Sequence, residues 1–345
     1  GLKHGTVTVL INKIPLQITT YRIDGEYKDN RRPETVEFTN NLSLDLQRRD
    51  FTINAMAYNK EGLVDLYGGI EDINSKQIKC VGNPDARFNE DGLRILRALR
   101  FASVLNFQIE EKSSVSIHKN KNLLINISSE RIISEFNKLV LGEKFFQIMD
   151  EYKDIFEVFI EELRYINYET WINILRAMSY TPKHLILRLS LIFSNIINRE
   201  DILKRLKYDN HTINNIKILC ENLNVELIPN QVDIKRLLNK IGYDNFKQLL
   251  VIKRAIVMSR SINSSRELYF LIQIEEMVKI IVEENQCYSL KDLKINGRDL
   301  IEEGFKKGKL VGKILNEILD MVIEGKLEND KDTILNYIKK HKKLS

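Results

Sequence analysis

Cysteine is scarce in this chain: Cys80, Cys220 and Cys287 lie far apart, with no Cys-x-x-Cys or Cys/His spacing between them. That argues against a disulfide framework and against a structural zinc site. Long apolar runs are also missing. No stretch approaches the ~18 continuous apolar residues of a membrane span, and the first residues lack the charged start and apolar core of a secretion signal. A cytoplasmic location with no membrane partner is the expectation. Histidine is sparse too, and His4, His118, His184, His211 and His341 are scattered without ligand spacing, so all five read as structural or surface residues. The helical part has no adjacent His-Asp pair, which argues against an appended metal-dependent phosphohydrolase module. Only five prolines accompany abundant Ile, Lys and Asn, a composition typical of AT-rich coding, so single lysines carry little information. The net charge of +5 permits a polyanionic partner without requiring one. With 345 residues, 43% of them hydrophobic, the chain has material for two to three domains with substantial cores.

Two regimes follow one another along the chain. Residues 1–81 read as strands and turns. Thr6-Val7-Thr8-Val9-Leu10-Ile11, the turn Asn12-Lys13 and a second strand over 14–22 predict a hairpin. Residues 23–35 are polar and charged, with Asp24-Gly25 and Arg31-Arg32-Pro33, and predict a mobile loop before a short strand at Val36-Glu37-Phe38. Phe51 to Tyr58 alternates as a strand would, and Leu66-Tyr67-Gly68-Gly69 closes it with a turn. From residue 83 the period becomes helical, with segments such as 130–140, 145–156, 234–241 and 311–323.

Glu90-Asp91-Gly92-Leu93-Arg94-Ile95-Leu96-Arg97-Ala98-Leu99-Arg100 is the most informative segment. Read as one helix at about 100° per residue, it sets Glu90, Asp91, Arg94 and Arg97 on one arc roughly 120° wide, with Ile95, Leu96 and Leu99 turned away. A carboxylate and a guanidinium three residues apart offer an acceptor and a donor fork side by side. That is the complement of cytosine or adenine, whose exocyclic amino group meets the carboxylate; uracil and guanine present a carbonyl there instead. The same spacing also makes an ordinary salt-bridge network on an exposed helix face. Arg48-Arg49-Asp50, just before the strand-like run, can bind phosphate and ribose together, or can be a charged turn in which Asp50 caps the local backbone.

Several motifs occur in order: Lys3-His4-Gly5-Thr6-Val7, Ile18-Thr19-Thr20-Tyr21-Arg22, Arg32-Pro33, Arg48-Arg49-Asp50-Phe51-Thr52-Ile53-Asn54-Ala55-Met56-Ala57, Asp65 with Gly68-Gly69, and Glu90-Asp91 through Arg94 to Arg100. Asp292-Leu293-Lys294-Ile295-Asn296-Gly297-Arg298-Asp299-Leu300 and the stretch 308–312 continue the pattern. Together they resemble the class II tRNA nucleotidyltransferases, the bacterial CCA-adding enzymes, whose head is similar to that of poly(A) polymerases. The resemblance implies an α+β fold: a truncated polymerase-β-like head (1–85), then an elongated all-helical neck with the base-reading helix (86–142), body (143–265) and tRNA-binding tail (266–345).

It also implies untemplated addition of C, C and A to the 3′ end of tRNA from CTP and ATP, with the tRNA acceptor arm as partner. On that reading Asp91 and Arg94 select the base, Arg48, Arg97 and Arg100 bind nucleotide phosphate and sugar, and Arg49 and Asp50 support the pocket. Residues 23–35 correspond to the flexible loop of the switch from C to A addition. Two Mg²⁺ ions would activate the 3′-hydroxyl and neutralise pyrophosphate through an Asp-x-Asp pair, with a Gly-Gly-x-x-Arg-Asp turn holding the triphosphate. Neither motif precedes His4, so no catalytic or metal residue is expected in this chain, and a fragment inactive alone is the expectation. Gln17 stands where many relatives carry Glu. An A-adding or poly(A) polymerase of the same superfamily, and a non-catalytic RNA-binding protein, remain as alternatives. The basic end at Lys339, Lys340, Lys342 and Lys343 is either helix-dipole complementarity or a contact for the RNA backbone.

Overall fold

The computed structural model describes residues 6–25, 35–260 and 265–341. The chain forms two compact units, up to Ile213 and from Asn214 onward. The first unit is α+β at its start and helical thereafter. β1 (Thr6–Ile11) and β2 (Ile14–Thr19) pair antiparallel, from Thr6 opposite Thr19 to Ile11 opposite Ile14. Asn12 and Lys13 both take positive φ (50° and 66°), as the twist of a two-residue hairpin turn requires. The expected second strand over 14–22 is interrupted: after Thr19 the chain leaves the first ladder, and β3 (Arg22–Asp24) pairs instead with β4 (Val36–Phe38). The expected mobile loop springs from this second hairpin. Its residues 26–34, with Arg31-Arg32-Pro33, lie outside the described residues, as do Lys3-His4-Gly5 and Lys342 and Lys343.

Two short helices stand where only strands and turns were expected. α1 (Leu42–Gln47) starts at Asn41, whose side chain accepts from Ser43 N–H. The strand-like run 51–58 is only half strand. Phe51 makes a single bridge to Cys80, Thr52–Asn54 is a 3-10 turn, and β5 (Met56–Asn59) then pairs with β6 (Gly62–Asp65). α2 (Gly69–Asn74) follows, because Asp65 caps it: its carboxylate accepts from Gly69 N–H at 2.8 Å and Ile70 N–H at 2.8 Å. Gly68 turns there with φ +74°, and a Cβ on Gly69 would sit 2.5 Å from the Thr52 carbonyl, so the paired glycines serve the turn and a close backbone approach.

β7 (Gln77–Ile78) and β8 (Gln108–Ile109) pair in parallel, a short ladder that extends into the region expected to be purely helical. Between them run α3 (Pro84–Glu90) and α4 (Leu93–Leu105). Asn83 caps α3, with Pro84 in the first turn where its missing N–H costs nothing. α4 ends at Asn106 in the left-handed conformation, with Phe107 N–H returning to Ala102 O at 3.0 Å. Leu93, Ile95, Leu96, Ala98, Leu99 and Ala102 of α4 are buried, so this helix is the core element of the region.

α6 (Ser129–Val140) and α7 (Phe145–Glu151) pack against it, while α5 (Glu111–Asn120) packs on α3 and α8 (Lys153–Phe156) on α5 and α7; α9 (Tyr168–Ser179), α10 (Leu185–Ile192) and α11 (Arg199–Arg205) follow. The segment expected as one helix over 145–156 breaks at Tyr152. Ile132, Phe136, Leu139 and Val140 form the apolar stripe of α6, and Phe136, Phe156 and Phe159 pack with ring centroids 5.5–6.2 Å apart. α12 (Asn210–Asn222) leads into the second unit. That unit holds α13 (Gln231–Ile241), α14 (Tyr243–Ser259), α15 (Ser265–Glu283), α16 (Gly297–Glu302), α17 (Lys309–Ile323) and α18 (Lys331–His341). Ile295, Leu300, Ile318, Leu319, Ile334 and Ile338 lie at the centre of one core there. Among the described residues, no helix is long and apolar enough to cross a membrane.

Candidate nucleotide site

The segment expected as one continuous helix from Glu90 to Arg100 is two helices with a break. α3 ends at Glu90, Asp91 is extended (φ −142°, ψ 104°), and α4 begins at Leu93. The single polar arc is therefore corrected to a corner. Asp91 makes the corner itself, because its Oδ1 accepts the Leu93 N–H at 3.1 Å and takes one orphan donor at the start of α4. Gly92 lets the corner pack: a Cβ there would meet Leu123 Cβ at 3.0 Å and its carbonyl oxygen at 3.1 Å. Asp91 Oδ2 accepts from Arg131 Nη2 of α6 at 2.8 Å.

Arg94 is only 8% exposed. Its Nη1 donates to the Arg87 carbonyl at 3.0 Å and to the Glu90 carboxylate, and its Nη2 donates to the Arg48 carbonyl at 3.0 Å. Arg87 in turn donates to the Gln47 carbonyl at 3.0 Å and pairs with Glu90 at 2.5 Å. Two guanidinium groups from α3 and α4 thus sit on the last carbonyls of α1, where the helix dipole favours positive charge. This contact brings Arg48-Arg49-Asp50 against the corner between α3 and α4.

Arg48 caps α1, and its side chain folds back on Asp45, Nε at 3.0 Å and Nη2 at 2.6 Å from Oδ1. Arg49 Nη2 reaches the other oxygen at 3.2 Å, and Arg22 N–H donates to Oδ1 at 3.3 Å. Burial pushes the Asp45 carboxyl up, but Arg48, with Arg22 N–H and Arg49, outweighs it and holds the group below the ordinary carboxylate value. Asp50 accepts from Phe51 N–H at 2.9 Å and Asn54 Nδ2 at 3.2 Å through one oxygen, and from Arg97 Nε at 2.7 Å and Nη2 at 2.5 Å through the other. Phe51 packs edge-on to Phe101 at 5.8 Å, with the Arg97 guanidinium 5.4 Å from the same ring. Arg100 faces elsewhere: it pairs with Glu135 of α6 at 2.6 Å and lies 3.7 Å over Phe101. Burial pulls its pKa below the ordinary arginine value, with Glu135 opposing.

The structure thus brings Arg48, Arg49, Asp50, Arg94 and Arg97 into one contiguous network, sets Asp91 at its corner, and turns Arg100 toward α6. Residues missed in the sequence are Asp45, Arg87, Arg131 and Glu135. Asp45 was legible, standing three and four residues before Arg48 and Arg49 in a helical spacing. Arg131 and Glu135 were not, because their partners are 40 and 35 positions away. Chemically, the network is a cluster of guanidinium forks already aimed at oxyanions, next to a fixed carboxylate acceptor.

A divalent metal finds no matching set here. Among the described residues no group of three or more His, Cys, Asp or Glu side chains could hold a metal ion. Asp45, Asp50 and Asp91 are engaged by arginines, and Asp330 accepts from Thr333 as a helix cap. The described residues do not fit a magnesium centre. Of the histidines, His118 pairs with Asp154 at 3.0 Å and stacks on Tyr152 with ring centroids 5.0 Å apart, a pair the sequence could not show across 36 residues. His341 stacks on Tyr337. At the end of α18, Lys339 pairs with Glu303 at 3.1 Å.

Residues 1–79 match the family described as "Poly A polymerase head domain", residues 106–166 that described as "Probable RNA and SrmB-binding site of polymerase A", and residues 178–338 a tRNA nucleotidyltransferase domain 2 family. The corner between α3 and α4 falls between the first two. A CCA-adding enzyme of Ligilactobacillus salivarius is 34% identical over 99% of this chain and 82% of its own length, and one of Enterococcus faecalis is 32% identical over the same shares. Among solved structures, the Bacillus stearothermophilus CCA-adding enzyme in complex with CTP superposes with a TM-score of 0.81 at 25% identity, covering 100% of this chain and 83% of that one. A Thermotoga maritima CCA-adding enzyme complexed with tRNA shares the fold at a TM-score of 0.59 and 20% identity, over 97% of this chain and 78% of that one.

Proposed function

The chain belongs to the CCA-adding enzymes, the bacterial class II tRNA nucleotidyltransferases, and from that premise we propose that Asp91 and Arg94 are the groups with which it chooses CTP and ATP for addition to the 3′ end of tRNA. The observation that carries the reading is the corner between α3 and α4. There a carboxylate anchored through both oxygens and a guanidinium anchored on two backbone carbonyls and Glu90 stand three residues apart, the first held from α6 and the second from the end of α1. Base selection needs groups that do not move to accommodate the wrong partner. A fixed carboxylate accepts from the amino group of cytosine or adenine and faces an acceptor in uracil and guanine.

Arg48 and Arg97 serve the triphosphate and sugar, with Arg49 in support. Each guanidinium is now held by Asp45 or Asp50, so an arriving phosphate exchanges one oxyanion partner for another, and the arginines need not be desolvated afresh. Arg100, set on Glu135, supports α4 from the far side. The hairpin of β3 and β4 carries the loop that would adjust the pocket between C and A. Its closed base supports that role, with Gly25 N–H bonded to the Thr35 carbonyl at 2.9 Å.

Calorimetric titration with CTP, ATP, UTP and GTP tests the reading without depending on turnover or metal. A charge-assisted hydrogen bond is worth about 1.5–3 kcal/mol, so Asp91→Ala and Arg94→Ala should each weaken CTP and ATP by about 10- to 150-fold and narrow their advantage over UTP and GTP. Unchanged preference among the four nucleotides in both variants would exclude base reading at this corner.

A further inference from the structure

We infer that Asp45 is a positioning residue that couples the triphosphate to the β3–β4 hairpin, because its ion pair with Arg48 also holds the first residue of that hairpin. The inference rests on the reading of Arg48 as a triphosphate ligand. Arg22 opens β3, and the pair engages both of its backbone groups. Its N–H donates to Asp45 Oδ1 at 3.3 Å, and its carbonyl accepts from Arg48 Nε at 3.2 Å. The same Arg48 nitrogen lies 3.0 Å from Asp45 Oδ1, and Nη2 lies 2.6 Å from it. A carboxylate of α1 and the guanidinium at its C-cap thus bind the backbone of β3 as a further strand would.

The ladder they support is short. β3 and β4 have three residues each, and a two-stranded hairpin of that length is marginal in water without an anchor. The two members of the anchor differ in freedom. The Asp45 side chain is 3% exposed and is also engaged by Arg49 Nη2 at 3.2 Å, whereas the Arg48 side chain is 20% exposed and can be reached by an oxyanion from solvent. A triphosphate carries several negative charges against one on Asp45, and its oxygens suit the same planar fork. When Arg48 turns to it, Asp45 stays in place and the Arg22 carbonyl loses its donor.

Linkage then fixes the sign. A ligand that draws Arg48 from Arg22 loosens the hairpin, and a docked hairpin lowers the affinity for that ligand by the same factor. The hairpin is therefore loosest while a triphosphate is bound and is fixed again once pyrophosphate has left. Asp50 supplies the contrast. Its carboxylate also holds an arginine, Arg97, but its side-chain partners Phe51, Asn54 and Arg97 all lie outside the hairpin.

The probe is tripolyphosphate, which has no base and leaves the corner between α3 and α4 out of the measurement. Calorimetry gives its affinity. Hydrogen–deuterium exchange in peptides spanning 18–25 and 35–41 reports the amides of Arg22, Gly25 and Thr39, which are bonded to Asp45, Thr35 and Tyr21. In the unmodified chain, saturating tripolyphosphate should speed exchange in both peptides by about threefold or more. Asp45→Asn removes the competing charge and should bind tripolyphosphate about 3- to 10-fold more tightly, with fast exchange that the ligand no longer changes. Asp50→Asn removes one negative charge as well, and it should keep the ligand's effect on the hairpin. Unchanged or slower exchange in the saturated, unmodified chain would overturn the inference, and this arm does not depend on the fold of any variant. A ligand effect that survives in Asp45→Asn would overturn it too. Tripolyphosphate binding that is absent in the unmodified chain, or equally tight in Arg48→Ala, would remove Arg48 as a triphosphate ligand and the coupling with it, and would leave base selection by Asp91 and Arg94 untouched.

Discussion

Asp50→Ala breaks the contact that ties the Arg48-Arg49-Asp50 segment to α4, and its cost can be worked from the partners left behind. The carboxylate is 9% exposed and accepts from Phe51 N–H, Asn54 Nδ2 and two nitrogens of Arg97. Arg97 is 33% exposed and rehydrates once released, so its share is nearer ~1 kcal/mol than the ~1.5–3 kcal/mol of a buried charge-assisted bond. Phe51 is fully buried, and its N–H, left without an acceptor, costs about 1–3 kcal/mol. The total is about 3 kcal/mol. Asp50→Asn keeps an oxygen for Phe51 N–H and loses only the ion pair, about 1 kcal/mol. Trp171, the single tryptophan of the chain, is fully buried in the same unit and reports its unfolding in urea. At a slope of about 2–3 kcal/mol per molar, the Ala midpoint should fall by about 1–1.5 M and the Asn midpoint by about a third of that. Equal shifts for the two variants would refute the assignment of the larger cost to the orphaned Phe51 N–H.

Two glycines should respond to alanine with opposite sign. A Cβ on Gly142 would lie 2.6 Å from the backbone carbon of Ser103, so Gly142→Ala should destabilise by about 1–3 kcal/mol, whereas nothing lies within 4 Å of the corresponding position on Gly312 inside α17, and Gly312→Ala should stabilise by about 0.5–1 kcal/mol. Thermal melts decide this, and a common sign for both would contradict the packing argument. Asp85 receives hydrogen bonds from Lys119, Ser116 and Asn120, which hold its carboxyl at about 2 against an ordinary 3.8. A folded value below the unfolded one means stability that is fully present above the unfolded value and lost as pH falls through about 2. Urea midpoints of the unmodified chain and Asp85→Asn should therefore differ at pH 5 and converge near pH 2. A gap that persists at pH 2 would show that the carboxylate charge is not what Asp85 contributes.

Much of the candidate site was legible before any fold was known, because the chemistry lies in residue types at short spacing. Asp91 and Arg94 are separated by one helical turn, and Arg48 and Arg49 follow Asp45 at the spacing of an intrahelical pair. What misled was the assumption that a helical period runs unbroken. Asp91 spends its carboxylate on capping α4, as Asp and Asn do wherever a backbone donor is orphaned, and that local bond ends one helix and starts the next. The alternation of Phe51 to Tyr58 misled in the same way: Phe51 fills the core against Phe101, and Thr52 binds Asp72 at 2.6 Å, so the residues alternate for packing while the backbone turns.

The sequence by itself determined the family, the order of an α+β start and a helical remainder, and the residue types that can read a base, since these depend on local periodicity and on motifs a few residues long. Only the tertiary structure decided which partner each charge takes. Arg94 lies on the Arg48 carbonyl, Arg97 on Asp50, Arg100 on Glu135 and Asp91 on Arg131, pairings that join positions 46, 47, 35 and 40 residues apart. A guanidinium is attracted to any oxyanion, so sequence spacing cannot choose among carboxylates. Packing of α6 and α1 against α4 makes the choice, by bringing one carboxylate or carbonyl within hydrogen-bond reach and burying the arrangement away from water.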